Sequence, residues 1–223
     1  RLKWISNFSG SAGRTLALQN KALIFIDGRY TLQAYQQVDS HYFSIENFED
    51  YWKLLKKNIE TNSTIGIDPS LHSNSEIKKI EKLVKENRSS IKYLSKNPID
   101  ILWKDQPSYP KSEAFILEEQ YSGKSSISKL QEIQSVLESS FIDYYILTSL
   151  DSIAWLLNIR GNDIPYTPLI LSFAIIPRSG KIELFVDDGK ITNIKKKIQN
   201  IANFHSFGSI YDFLSIINNN NIV

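Results

Sequence analysis

Ala22-Leu23-Ile24-Phe25-Ile26-Asp27-Gly28-Arg29-Tyr30 is the stretch on which the reading of this chain turns. Five consecutive apolar residues, bounded by Asn20-Lys21 on one side and Asp27-Gly28 on the other, have the length and composition of a strand buried on both faces. Such strands belong to α/β folds, and the loops at their ends are where those folds place binding groups. Arg29 stands there, so it is the first candidate for a functional side chain. The plain alternative is a surface arginine that follows a strand.

Working outward, NFSGSAG (7–13) is a run of small residues that feeds a β-like run at 15–19, so Asn20-Lys21 makes the turn of a hairpin. Downstream, Leu32, Ala34, Tyr35 and Val38 recur at helical spacings over 30–38. A strand is expected at 43–45, a helix over 49–59 with Trp52, Leu55 and Ile59 inside, and a strand at 65–68 closed by Asp68-Pro69. Ser75 caps an amphipathic helix striped by Ile77, Ile80, Leu83 and Val84, and a strand follows at 91–94. In the second half the pattern predicts a helix over 126–139 with Ile127, Leu130, Ile133 and Leu137 inside, and a strand at 144–147. Asp151 then caps a short helix through Leu157, and a hairpin forms from 169–176 and 181–186 around Arg178-Ser179-Gly180. Helices are expected near 191–201 and 211–217, with a polar tail at 218–221. Pro107 and Pro110 stiffen the polar run WKDQPSYPKS (103–112), where the domain boundary is placed.

The composition suits this plan. At 223 residues, 42% hydrophobic and 22% charged, the chain accommodates two modest cores. A net charge of +2 is too balanced for a nucleic-acid or membrane surface, no apolar run approaches the ~20 residues needed to cross a bilayer, and Arg1-Leu2-Lys3-Trp4 lacks the core of a signal peptide. A cytoplasmic protein with neither nucleic-acid nor membrane partner is therefore expected. Absence of cysteine removes disulfides, thiolate nucleophiles and Cys-ligated zinc. Absence of methionine makes the chain a piece of something longer on this reading.

The halves share a word. WISNFSG (4–10) matches WLLNIRG (155–161) in its Trp, Asn, Gly and apolar positions, and each copy leads into a hairpin whose second strand ends alike, in Phe25-Ile26-Asp27 and Phe185-Val186-Asp187. Two copies of one α/β unit follow. The second word is preceded by a helix and a strand and the first is not, so a strand-helix segment is expected upstream in the natural protein. Asp27 has a counterpart in Asp187, whereas Arg29 has none, because the second copy continues Asp187-Asp188-Gly189-Lys190. The second copy adds RGNDIPYTP (160–168), either a shaped loop or a Pro-stiffened connection.

Self-sufficient chemistry is not apparent. His41, His72 and His205 lie far apart without a partner at metal spacing and read as solvated, and Asp187-Asp188 reads as a turn. There is no Gly-x-Ser-x-Gly elbow, and SGSAG (9–13) lacks the Lys-Ser/Thr ending of a phosphate loop.

With these pieces in place, WISNFSGSAG (4–13), FIDGRYTLQAYQQV (25–38), ILWKDQPSYP (101–110), YSGKS (121–125) and LDSIAWLLNIRGNDIPYTP (150–168) resemble, in order, the N-terminal part of a cytosolic-type Xaa-Pro aminopeptidase, also called aminopeptidase P. The resemblance implies an α/β fold of two tandem creatinase-like N-terminal domains, each a mixed β-sheet flanked by helices. Domain I spans 1–104 and lacks its first strand and helix, a Pro-containing linker spans 105–112, and domain II spans 113–223. It also implies a following pita-bread catalytic domain holding two divalent metal ions, manganese in similar enzymes, with no metal ligand or catalytic base in these residues. Arg29, from the DGRY motif, is the one site residue carried over; in similar enzymes it projects toward a substrate in the partner subunit's active site. The expected whole is a dimeric metallohydrolase releasing the residue before proline from proline-containing peptides, of which residues 1–223 would be an inactive, substrate-positioning and dimerising part. On the same resemblance the loop 160–168 lies toward the catalytic domain. A non-enzymatic peptide- or histone-binding module with a peptidase-like fold is the alternative.

Overall fold

The computed structural model describes residues 1–217, so the polar tail expected at 218–221 lies outside the described residues. The chain divides into two compact units, Arg1–Pro107 and Ser108–Val223. Both are mixed α/β, with sheets flanked by helices.

The first unit opens with α1 (Leu2–Ser6), which ends at Asn7 in the left-handed conformation (φ 60°), and Asn7 donates through its side chain to the Gln37 carbonyl. Asn is one of the few residues that accept this geometry at low cost. Strands β1 (Gly13–Ala17) and β2 (Ala22–Ile26) form the hairpin, β1 two residues earlier than the apolar run suggested. Next come α2 (Thr31–Gln37), β3 (Phe43–Asn47) parallel to β2, and α3 (Tyr51–Asn58). A parallel pair follows, β4 (Thr64–Ile67) and β5 (Ser90–Tyr93), joined by α4 (Asn74–Glu86). The cap of α4 is Ser73, not Ser75: its hydroxyl accepts from the Glu76 N–H while Glu76 accepts from the Ser73 N–H, a closed box that Ser75 cannot form. A short α5 (Pro98–Leu102) follows β5.

The strand β2 is buried from Leu23 to Ile26, as its composition demands. Its two faces feed different clusters. Leu23 and Phe25 pack with Tyr51, Leu55, Ile67 and Ile80, and Ile24 and Ile26 pack with Phe8, Ala34, Val38 and Phe43. α2 departs from expectation on one side, because Ala34 and Val38 are buried but Leu32 and Tyr35 are exposed.

The second unit runs through β6 (Phe115–Ile116), α6 (Glu119–Ser122), α7 (Ser126–Ser139), β7 (Tyr144–Leu147), α8 (Leu150–Leu157) and β8 (Ile159–Arg160). It continues with β9 (Ser172–Pro177), β10 (Ile182–Val186), α9 (Asp188–Ile191), α10 (Lys195–Ile198), β11 (Ala202–His205) and α11 (Ile210–Ile216). Four strands make one sheet in the order β11-β10-β9-β7, with β10 and β11 parallel and the other neighbours antiparallel. β6 and β8 form a separate antiparallel pair. The expected helix near 191–201 is instead two short helices followed by β11. Asp151 lies inside the first turn of α8; Ser149 is the residue before the helix, and its hydroxyl donates to Asp151. On α7, Ile127 is exposed and Lys129 takes an interior place. Its ammonium donates to the Trp155 carbonyl at 2.8 Å and to Asn158 Oδ1 at 2.6 Å, closing the C-terminal end of α8. Burial foremost, then the charges of Arg160 and Lys124, push the Lys129 pKa down.

The shared word now has a physical meaning. Asn158 repeats the left-handed helix end of Asn7 (φ 50°). A Cβ on Gly10 would lie 2.2 Å from the Phe8 ring, and one on Gly161 would lie 2.2 Å from Ile170 Cγ2.

The loop 160–168 is anchored by charge. Asp163, buried, accepts from Lys190 Nζ at 2.5 Å, the Leu171 N–H at 2.7 Å and the Ser112 hydroxyl at 2.7 Å. Burial pushes its carboxyl up, but the hydrogen bonds from Lys190, Leu171 and Ser112 outweigh burial and hold it below the ordinary carboxylate value. Lys190→Met would leave that carboxylate buried without a cation and should cost about 3–5 kcal/mol of unfolding free energy in urea at pH 7. Because the folded pKa is depressed, the stability Asp163 contributes is present above about pH 4 and is lost as pH falls through the folded value. In Lys190→Met the carboxyl shifts upward, so the two proteins should converge on acidification. A stability gap constant from pH 7 to pH 4 would contradict the charge pairing.

Candidate functional site

The residues around Arg29 are positioned by the end of β2. Asp27, in extended conformation, accepts the Arg29 N–H on Oδ1 at 3.0 Å and turns the chain into a single 3₁₀ turn, Gly28–Tyr30. The same carboxylate takes the guanidinium, Nε to Oδ1 at 2.8 Å and Nη2 to Oδ2 at 3.2 Å. The Arg29 side chain nonetheless stays 74% exposed, its Cζ 5.7 Å from the Tyr30 ring. A guanidinium carries five N–H bonds, and two are given to Asp27, so three remain for a ligand. The Asp27 hydrogen bonds raise the Arg29 pKa, and those of Arg29 lower the Asp27 pKa.

Around this pair the chain is braced. The Tyr30 hydroxyl lies 2.6 Å from Ser11 Oγ, and the Tyr30 ring meets Phe8 edge-on at 5.9 Å. Gln37 accepts from the Ser9 N–H at 2.9 Å, Gln33 donates to Ser9 Oγ at 3.0 Å, and Thr31 donates to the Gly28 carbonyl at 2.8 Å. The glycine-rich stretch before β1 is thereby tied to α2. The arrangement presents a planar cation with fixed direction, suited to a carboxylate or to peptide carbonyls.

Sequence reasoning singled out Arg29 but treated Asp27 as part of a duplicated strand only. The duplicated role is real, since Asp187 likewise accepts the N–H two residues on, from Gly189 at 2.9 Å. The grip on the guanidinium is an addition peculiar to the first copy, and the Asp-x-Arg spacing was its only signal. The histidines read as solvated are not all so. His72 is half-buried, its Nδ1 4.0 Å from Glu76, and its pKa is lowered, by burial first and then by Arg14. His205 lies 2.5 Å from Glu183 and stacks on Phe185. Among the described residues no three His, Cys, Asp or Glu side chains converge to hold a metal ion.

The family model of the creatinase/prolidase N-terminal domain matches residues 1–96, and a second model of the same description matches residues 105–223. The chain belongs to the creatinase/prolidase N-terminal domain family. It is 36% identical over 197 residues to a probable Xaa-Pro aminopeptidase P of Neosartorya fischeri, covering 86% of this chain and 30% of that protein. It is 33% identical over 218 residues to the one from Paracoccidioides lutzii, covering 95% and 35%. The chain thus spans about a third of the length of the curated relatives it matches. Among solved structures it is similar to an X-prolyl aminopeptidase from Caenorhabditis elegans, described as a cytosolic enzyme with a di-nuclear active site. That likeness has a TM-score of 0.87 at 29% identity, over 96% of this chain and 36% of that one.

The pairing of Asp27 with Arg29 is open to direct test. Arg29→Ala should move the Asp27 carboxyl titration, followed by ¹³C NMR, upward toward the ordinary value of about 3.9. An unchanged midpoint would mean the two side chains do not pair in solution.

Proposed function

We propose that this chain is the non-catalytic N-terminal portion of a metal-dependent aminopeptidase that releases the N-terminal residue from Xaa-Pro peptides, and that Arg29 positions the peptide. The observation that carries the reading is an exposed guanidinium, oriented by Asp27 at the end of a core strand, in a chain similar to named Xaa-Pro aminopeptidases. Domain I would comprise residues 1–104, the linker 105–112 and domain II 113–223; the division of the compact units after Pro107 supports that partition. The intact enzyme would be a cytoplasmic homodimer, with two divalent ions, manganese on the family resemblance, held outside these residues. Arg29 would pair with a peptide carboxylate or with carbonyls remote from the scissile bond and so fix the approach of the amide, without taking or giving a proton. Asp27 limits the swing of the guanidinium and lowers the entropy lost on binding.

Steady-state kinetics on the full-length enzyme test the assignment. Arg29→Ala removes a charge-assisted contact worth about 1.5–3 kcal/mol, which corresponds to a fall of roughly 10- to 100-fold in kcat/KM with metal content unchanged. Unaltered kinetics would remove Arg29 from the substrate site. Residues 1–223 alone should show no metal-dependent Xaa-Pro hydrolysis, and measurable turnover would overturn the non-catalytic reading.

A further inference from the structure

Between Arg29 and Asp39 the chain carries no charged side chain, although α2 lies partly in solvent. The faces of α2 are told apart by what they touch. Ala34 and Val38 pack with Ile24 and Ile26 of β2, and Gln33 and Gln37 donate to Ser9 Oγ at 3.0 Å and 2.9 Å. The remaining face holds Leu32, Tyr35 and Gln36, all three exposed, Leu32 to 81% and Tyr35 to 67%.

A single exposed leucine carries little meaning, but this face departs from its neighbours as a whole. The other long helices of the unit meet solvent with charge, α3 through Lys53, Lys56 and Lys57 and α4 through Lys78, Lys79 and Lys82. α2 meets it with a leucine, a tyrosine and a glutamine that follow an arginine. Depletion of charge beside Arg and Tyr is the composition of a contact surface.

The 3₁₀ turn that holds Arg29 runs directly into α2, so steps of three and four residues place Arg29, Leu32 and Gln36 along one line, with Tyr35 next to Leu32. Seven residues of helix span roughly 10 Å, the length of about three residues of extended peptide. One end of the line is a guanidinium with N–H groups left over from Asp27, the middle is apolar, and the far end is a carboxamide that both donates and accepts. Two apolar side chains fall far short of the roughly 800 Å² per partner that a stable protein interface buries, so the strip has the size and polarity of a seat for a peptide.

We propose that Leu32 and Tyr35 receive the side chain of the residue that follows proline, Yaa, in an Xaa-Pro-Yaa substrate, and that they select an apolar Yaa. The assignment rests on Arg29 as the group that positions the peptide. Arg29 meets the Yaa carboxylate, or the corresponding carbonyl of a longer peptide, which every substrate carries; Leu32 and Tyr35 meet a side chain, which differs from one substrate to the next. An apolar Yaa removes its own surface and that of Leu32 from water, and glycine at Yaa removes neither. In longer peptides Gln36 bonds the peptide unit beyond Yaa.

Steady-state kinetics of the full-length enzyme on Ala-Pro-Leu and Ala-Pro-Gly test the selection. The leucine peptide should be favoured in kcat/KM by at least about fivefold, and Leu32→Ser and Tyr35→Ser should each bring that ratio toward one. Both side chains lie outside the core, so neither substitution disturbs the packing of the unit. Arg29→Ala should lower kcat/KM for both peptides. A ratio near one in the unaltered enzyme, or a ratio that survives both serine substitutions, would overturn the selection and leave the role of Arg29 standing. Unaltered kinetics in Arg29→Ala would instead overturn the reading beneath it. Loss of the ratio together with dissociation of the enzyme into single subunits, followed by sedimentation, would give the strip to contact between copies and so overturn the proposal as well.

Discussion

Two carboxylates set the ends of the two central strands. Asp27 and Asp187 each accept the backbone N–H two residues further on, and this one hydrogen bond converts a buried extended chain into a helical turn at the sheet's end. The bond satisfies a donor that would otherwise leave the ladder unpaired, and it fixes the direction in which the next side chains emerge. In the second unit the residue so held is Gly189, which displays nothing. In the first it is Arg29, and the carboxylate that turns the chain also grips the displayed cation. Display is thus built from a structural cap by changing the residue two positions on.

Much of the architecture was legible because burial imposes periodicity. β2 is buried on both faces and reads as an uninterrupted apolar run, and α7 and β7 emerge with the boundaries their spacing predicts. The repeated Trp, Asn and Gly were legible as letters before they were legible as physics. Asn7 and Asn158 are left-handed helix ends, and Gly10 and Gly161 stand where another side chain fills the space a Cβ would need. What could not be read arises from contacts distant in sequence. Lys129 looks like a solvated helix residue until the open end of α8 is placed against it. β11 lies between a lysine-rich turn and a polar stretch, and only its parallel ladder with β10 makes it a strand. At the candidate site Arg29 was visible from its place after a strand, but its partnership with Asp27 needs the 3₁₀ turn that brings two near neighbours together.

Both units meet a second requirement, that of holding the loop between the repeated word and the hairpin. Tyr30 and Lys190 stand three residues past their respective aspartates, and each reaches that loop, Tyr30 to Ser11 at 2.6 Å and Lys190 to Asp163 at 2.5 Å. The first contact joins two neutral hydroxyls across a loop of a few small residues. The second is a buried ion pair with backbone and hydroxyl bonds completing the carboxylate, which is what makes an otherwise costly burial tolerable.

That difference bears on how such a domain can diverge. Beyond Asp163 the backbone forms a turn in which Ile164 bridges Thr167 and Tyr166 stands fully exposed in the left-handed region at φ 60°. A bulky residue adopts that conformation only where the surrounding chain compels it. With departure and return both fixed at Asp163, the segment beyond the anchor can change in length and sequence without passing strain into the sheet. The ion pair thus separates the inheritance of the scaffold from that of its protruding loop, and a duplicated domain can acquire a new outward feature while its core remains an ancestral copy.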